Sequence, residues 1–224
     1  MRRFVRDNGL TLFFLGALVL ALVGQAFAGL AVYNEQQIAR GAPEVGLGHY
    51  LTGSEFAVDV TENWQSEYLQ FFLYIFVTVW LIQRGSTESK APPRSGPESD
   101  KEQRTGEYAD GSSPAWARAG GIRGLLFSRS LGLVMGLIFL LSWLVQSLTG
   151  WVSYNSDQLA QFQDTVPWIG YAGSAEFWSR TLQNWQSEFL AVASMAAFSI
   201  YLRQRGSPES KPVGAPHDAT GLEG

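Results

Sequence analysis

Four apolar segments separated by polar stretches dominate this chain. Residues 10–32 and 131–154 are each free of charge for longer than the roughly 20 residues that cross the hydrocarbon core as a helix. Residues 68–83 and 189–202 are shorter, and they reach spanning length only when the count begins at the tryptophan preceding each and includes one Glu. The pattern therefore predicts an all-α integral membrane protein with four transmembrane helices.

The charges predict the orientation of these spans. With a cytoplasmic N-terminus and four crossings, 14 of the 16 Lys and Arg residues lie inside, and only Arg40 and Arg180 lie in the outer loops. The outer loops also carry ten of the twenty acidic residues. Because Lys and Arg concentrate in cytoplasmic loops, both termini are expected in the cytoplasm.

The first apolar segment has a second interpretation. Arg2 and Arg3 precede it, and Ala26-Phe27-Ala28 matches the small-x-small pattern of a signal-peptide cleavage site. Cleavage would leave three spans and an outer N-terminus. The segment is long for a signal peptide, and an internal counterpart at residues 131–154 favours an uncleaved helix.

The sequence contains an internal duplication. Shifted by 121 residues, positions 8–90 align with positions 129–211 without a gap, and half of the 28 positions from 63 to 90 are identical. Because each copy holds two spans, both copies enter the membrane from the same side, as in parallel repeats. We predict two helix-loop-helix repeats, residues 1–84 and 125–205.

The remaining segments differ in composition. Residues 85–124 and 206–224 are rich in Gly, Pro, Ser and charged residues and poor in apolar ones. Such segments cannot bury enough apolar surface to offset the entropy cost of ordering. We predict a disordered cytoplasmic linker and a disordered cytoplasmic tail.

Small residues at helical spacing mark expected helix contacts. Close approach of two membrane helices favours Gly and Ala at the interface. We expect contacts with other helices at Ala17, Ala21, Gly24 and Ala28, at Gly132 and Gly136, and at Ala193 and Ala197.

Composition argues against several chemistries. The chain has no Cys, and its two histidines, His49 and His217, lie outside the apolar segments. These facts exclude disulfides, thiol catalysis and a bis-His haem between the helices. The net charge of −4 offers no electrostatic footprint for nucleic acid. We expect no cofactor, no metal and no catalytic residues.

Polar residues shared by both copies form the candidate polar site. Glu67 and Glu188 are predicted about a turn inside the outer boundary, where they either sit favourably near a helix start or form a paired cation or proton site. Gln25 and Gln146 lie deeper and are expected to form interhelical hydrogen bonds or to line a polar pathway. The adjoining residues are interpreted as helix caps or flanks and interfacial anchors: Asn63, Asn184, Trp64 and Trp185.

A second repeated motif follows each hairpin. Gln-Arg-Gly-Ser-x-Glu-Ser-Lys occurs at residues 83–90 and 204–211. Gly85 and Gly206 suit the left-handed position after a helix, and Arg84 and Arg205 serve orientation. A topological stop signal is the favoured interpretation, ahead of a binding motif.

Several of these motifs together resemble a family of small bacterial membrane proteins, known as a domain of unknown function with two such hairpins. The resemblance is carried by residues 6–10, 32–34, 63–70 and 83–86 (Arg-Asp-Asn-Gly-Leu, Val-Tyr-Asn, Asn-Trp-Gln-Ser-Glu-Tyr-Leu-Gln and Gln-Arg-Gly-Ser). It implies a bacterial inner-membrane location and transfers no activity.

Three hypotheses for function follow. The leading one is a non-enzymatic accessory subunit or interaction scaffold. Its expected partners are the lipid bilayer and either a membrane protein or further copies of the chain. The second is a small cation or proton channel or carrier that uses Glu67 and Glu188. The weakest is an enzyme that acts on lipid headgroups with those carboxylates as acid and base.

Overall fold

The computed structural model describes residues 2–222, and this part of the chain is helical, without β-strands. Short 3-10 turns lie at Pro92–Arg94 and Gly106–Tyr108. The α-helices are α1 (Arg2–Asp7), α2 (Gly9–Ala39), α3 (Leu47–Leu51), α4 (Ser54–Val77), α5 (Gly121–Ser128), α6 (Ser130–Ala160), α7 (Trp168–Ala172) and α8 (Ala175–Tyr201).

Two helices of the described chain, α2 and α6, are long and apolar enough to cross a membrane. They contain the two longer segments found in the sequence and extend beyond them. By the same measure α4 and α8 do not qualify, and both contain Glu. The structure therefore supports two candidate spans directly.

The ends of the shorter apolar segments differ from each other. Helix α8 ends at Tyr201, beside the predicted limit, but α4 ends at Val77, before the predicted limit at Gln83. The carbonyl of Val79 accepts from the N–H of Gly96 at 2.7 Å, and the N–H of Gln83 donates to the hydroxyl of Ser89 at 2.9 Å. In a continued helix these two groups would bond to each other.

The chain divides into two compact units, which are described separately. The first comprises Met1–Thr61 and Val145–Phe177. In it, Asn34 bonds both the N–H and the carbonyl of Val45, at 2.8 and 3.0 Å. Asn155 bonds Val166 in the same way, at 2.9 and 3.0 Å. Each pair of bonds folds the loop back onto its helix.

In each half of the chain, a tyrosine of the first unit packs against a helix glycine. Tyr50 is 3% exposed, and a Cβ on Gly29 would lie 2.1 Å from its hydroxyl oxygen. Tyr171 is 2% exposed, and a Cβ on Gly150 would lie 2.4 Å from its hydroxyl oxygen. Any larger residue at either glycine would displace the tyrosine.

The second unit comprises Glu62–Leu144 and Trp178–Gly224. A Cβ on Gly136 would lie 3.1 Å from the Phe72 ring, and one on Gly132 would lie 3.9 Å from Ile75. The expected helix contacts at these two glycines are confirmed.

The other expected small-residue contacts are not formed within the described chain. All six residues are exposed: Ala17, Ala21, Gly24, Ala28, Ala193 and Ala197. Spacing alone identifies a face that permits close approach, whereas larger residues such as Tyr50 and Phe72 determine which glycines are approached.

Candidate functional site

The repeated Asn-Trp-Gln-Ser-Glu segments lie within helices rather than at helix starts. Residues 63–67 fall inside α4 and residues 184–188 inside α8. The capping interpretation of Asn63 and Asn184 is therefore wrong, because α4 and α8 begin earlier and run continuously through both segments. The Asn184 amide instead donates to the carbonyl of Arg180 at 3.0 Å.

The two segments occupy different environments despite their identity. Gln65 is completely buried, and its amide oxygen accepts from the indole N–H of Trp185 at 2.8 Å. Its amide nitrogen donates to the carbonyl of Glu62 at 3.0 Å. The equivalent Gln186 is exposed, and so is Trp64. The second unit is therefore asymmetric at this segment.

The aromatic surroundings hold Trp185 in place. Its ring centroid lies 5.9 Å from that of Trp143, which lies 6.1 Å from that of Trp178. Packing of this kind adds to the Trp185–Gln65 hydrogen bond.

The two candidate glutamates are close enough to interact electrostatically. Glu67 is exposed, whereas Glu188 is partly buried. The residues predicted to pair are thus brought into one neighbourhood of the second unit, although their exposures differ.

The two glutamines belong to the first unit and also differ. Gln146 is 1% exposed, and its amide oxygen accepts no hydrogen bond within the described chain. Gln25 is partly buried. The expected interhelical hydrogen bond to the Gln146 oxygen is therefore not formed, which leaves a buried acceptor at a cost of about 1–3 kcal/mol.

Sequence reasoning missed two ion pairs that join the halves of the chain. Arg180 Nε lies 2.7 Å from Glu62 Oε2 in the second unit. Arg40 Nη1 lies 2.8 Å from Asp157 Oδ1 in the first unit. These are the two arginines predicted to lie outside, and each binds a carboxylate of the other half. No local sequence signal pairs residues this far apart.

The second repeated motif also forms ordered contacts that its interpretation as a stop signal did not anticipate. Lys211 is 1% exposed, and its ammonium, which has three N–H groups, lies within hydrogen-bond distance of four backbone carbonyls. The acceptors are Gly85 at 2.6 Å, His217 at 2.8 Å, Ala219 at 3.2 Å and Pro216 at 3.3 Å.

The glycines of this motif do not occupy the expected place. Gly85 and Gly206 have positive φ angles of 88° and 81°, but both lie in turns beyond the ends of α4 and α8. The need for left-handed backbone was predicted correctly, and the position directly after a helix was wrong.

Within residues 2–222, no group of three or more His, Asp or Glu side chains is arranged to hold a metal ion. What the fold defines is an all-helical protein with two helices capable of crossing a membrane.

The chain belongs to the family described as Domain of unknown function (DUF6766), which matches residues 1–222. Neither a curated protein nor a solved structure matched the chain.

Proposed function

We propose that this chain is a four-span, two-repeat protein of the bacterial inner membrane, with both termini in the cytoplasm, that serves as a non-enzymatic interaction scaffold or accessory subunit. The membrane part of the proposal is supported by the exposure of the apolar helices. In the most apolar 18-residue stretch of each helix, only 6% of α2 and 22% of α6 is buried. Apolar helices of a soluble core bury this surface, whereas lipid covers it in a membrane protein.

The observation that carries the scaffold proposal is Phe162. Helices α2 and α6 end in the same kind of cap. The N–H of Ala42 donates to the carbonyl of Gln37, and the N–H of Gln163 donates to the carbonyl of Gln158, each at 2.8 Å. The left-handed position of this cap is Gly41 in the first half, with φ 73°, and Phe162 in the second, with φ 58°.

A phenylalanine at this position is costly to the isolated chain. Left-handed backbone costs a residue with a Cβ about 1 kcal/mol relative to Gly, and the Phe162 side chain is fully exposed. Strained, exposed apolar groups of this kind favour a binding role. Ile169, seven residues further along the same loop, is also 71% exposed. The partner we propose is a membrane protein that covers Phe162 in the outer loop.

Photocrosslinking tests the proposal directly. A benzophenone amino acid at position 162, in cells that express the full chain, should yield one discrete protein adduct. The same group at Gly41 is the matched control, because it occupies the equivalent cap in the other half. Adducts with lipid alone, or equal adduct patterns at both positions, would contradict the scaffold proposal.

A second candidate function is cation or proton passage. It is favoured by the proximity of Glu67 and Glu188 on α4 and α8. Ionisable groups within membrane helices often mark ion pathways.

Flux in proteoliposomes distinguishes the two candidates. Passage through this pair predicts cation or proton flux that the Glu67→Gln/Glu188→Gln double variant loses without loss of expression. Flux no higher than in protein-free liposomes would eliminate this candidate and leave the scaffold.

A further inference from the structure

Two loops with the same internal structure follow α4 and α8; we name residues 83–90 the first loop and residues 204–211 the second loop. In each, a serine hydroxyl accepts from the N–H of the opening glutamine at 2.9 Å. In each, a second serine hydroxyl accepts from the glutamate N–H, at 3.1 and 3.2 Å. The backbone groups of Gly85 and Gly206 are therefore presented by equivalent turns.

The first loop shows what this turn binds. The N–H of Gly85 donates to the hydroxyl oxygen of Thr220 at 2.8 Å, and its carbonyl accepts from the ammonium of Lys211 at 2.6 Å. Gly85 is buried beneath these tail residues, and a Cβ there would lie 2.4 Å from the carbonyl oxygen of His217. The N–H of Gly85 thus binds an oxygen acceptor, and its carbonyl binds an ammonium donor.

In the second loop, the equivalent glycine, Gly206, lines an open cavity of about 400 Å³. A Cβ on Gly206 would meet no atom within 4 Å. Arg205, which also lines the cavity, is exposed and forms no ion pair in the described chain. Arg205 and Gly206 thus line the same cavity.

We propose that the second loop binds a phosphate that carries a primary ammonium, the chemistry of a phosphoethanolamine headgroup. Arg205 and the N–H of Gly206 bind the phosphate oxygens, and the carbonyl of Gly206 accepts from the ammonium. The inference rests on the proposed membrane topology, because the loop follows the end of α8 at Tyr201 and then lies at headgroup level.

The headgroup chemistry makes the proposal selective. A choline ammonium has no N–H, so it cannot donate to the carbonyl of Gly206. A phosphatidylglycerol headgroup has no ammonium at all. Both lipids retain the phosphate, so simple attraction to Arg205 does not distinguish them from phosphatidylethanolamine.

Native mass spectrometry of the full chain, released from micelles that contain each phospholipid in turn, measures the selectivity. We expect phosphatidylethanolamine to be retained about tenfold more than phosphatidylcholine or phosphatidylglycerol, the equivalent of about 1.4 kcal/mol. Arg205→Gln should abolish most of that retention. Arg84→Gln is the matched control and should leave retention unchanged, because the N–H and carbonyl of Gly85 are already bonded to Thr220 and Lys211.

Three results would overturn the proposal: equal retention of phosphatidylethanolamine and phosphatidylcholine, greater retention of phosphatidylglycerol, or equal losses in the two arginine variants. Soluble glycerophosphoethanolamine, added as a competitor, separates the two sources of the headgroup. Displacement at stoichiometric concentration supports a soluble ligand, and displacement only in large excess supports the lipid. Carbonate extraction tests membrane insertion separately, so failure of the topology and failure of the site are distinguishable.

Discussion

At the residue scale, two tyrosines of the first unit pack against helix glycines. Tyr50 and Tyr171 are buried at the ends of short loop helices and cover Gly29 and Gly150. Each tyrosine also contacts a second aromatic ring, Phe56 at 5.6 Å and Phe177 at 5.6 Å between centroids. These rings limit how far the tyrosines can move to relieve a clash.

We therefore expect Gly29→Ala to lower the free energy of unfolding by about 1–3 kcal/mol, because the added methyl overlaps the Tyr50 hydroxyl. Gly24→Ala is the matched control on the same helix: no atom lies within 4 Å of its Cβ position. Without a clash, the higher helix propensity of Ala should leave stability unchanged or raise it by up to about 1 kcal/mol. Denaturation in detergent measures both, and Tyr50→Phe should restore part of the loss. Equal effects at the two glycines would contradict the packing.

At the element scale, the halves of the chain are joined by ion pairs of unequal burial. The side chains of Arg180 and Glu62 are 30% and 17% exposed, whereas those of Arg40 and Asp157 are 39% and 42% exposed. Water screens the Arg40–Asp157 pair more effectively, so this pair contributes less to the free energy of unfolding.

Double-mutant cycles should show this difference. Neutralising Arg180 and Glu62 singly and together should give a coupling energy of about 1 kcal/mol, against less than about 0.5 kcal/mol for Arg40 and Asp157. The measurement is the unfolding free energy in detergent at low and high salt. A larger coupling for the more exposed pair would contradict the assignment.

The linker offers a pH test of its predicted disorder. Hydrogen bonds from the hydroxyl and N–H of Ser112, and then the bond from Arg104, lower the pKa of Asp110 below its ordinary value. A lowered carboxyl pKa means that the turn is stabilised above the ordinary pKa and loses this stabilisation as pH falls through the lowered one.

We expect an NMR titration of the Asp110 carboxyl carbon to have its midpoint below that of an unstructured Asp. Ser112→Ala should raise the midpoint, because one of the hydrogen bonds to the carboxylate is removed. An ordinary midpoint, unaffected by the substitution, would instead support the disordered linker predicted from composition.

Some of these elements could be predicted from sequence and others could not. The apolar runs placed α2 and α6 because periodicity and length are local properties. Beyond the end of α4 at Val77, the backbone bonds to Gly96 and Ser89, and hydrophobicity does not encode these bonds. Likewise, identical local sequences gave no reason for Gln65 to be buried and Gln186 exposed, because the difference comes from Trp185 on another helix.

At the scale of the whole molecule, the topology determines which surfaces meet lipid, the cytoplasm or a partner. Two candidate spans are evident in the structure, and the four-span arrangement remains a proposal. Because the chain contains no Cys, introduced cysteines can be labelled without background.

Impermeant maleimide on intact cells should label Gln37→Cys and Gln161→Cys but not Ser95→Cys. The first two positions lie in outer loops of the proposed topology, and the third lies in the cytoplasmic linker. Permeabilised cells provide the control, in which all three should react. Labelling of Ser95→Cys in intact cells would reverse the orientation, and protection of Gln161→Cys would rule out four spans with a cytoplasmic C-terminus.

The ion pairs between the halves use positions at which the two copies differ. Asp157 corresponds to Gln36, and Glu62 corresponds to Gln183, at the 121-residue offset. Arg40 and Arg180 correspond to Gln161 and Asp59. A chain built from the first half twice, or from the second half twice, would therefore form neither pair. The halves have become complementary rather than interchangeable. Recombination that duplicates one half would therefore be expected to yield a less stable protein.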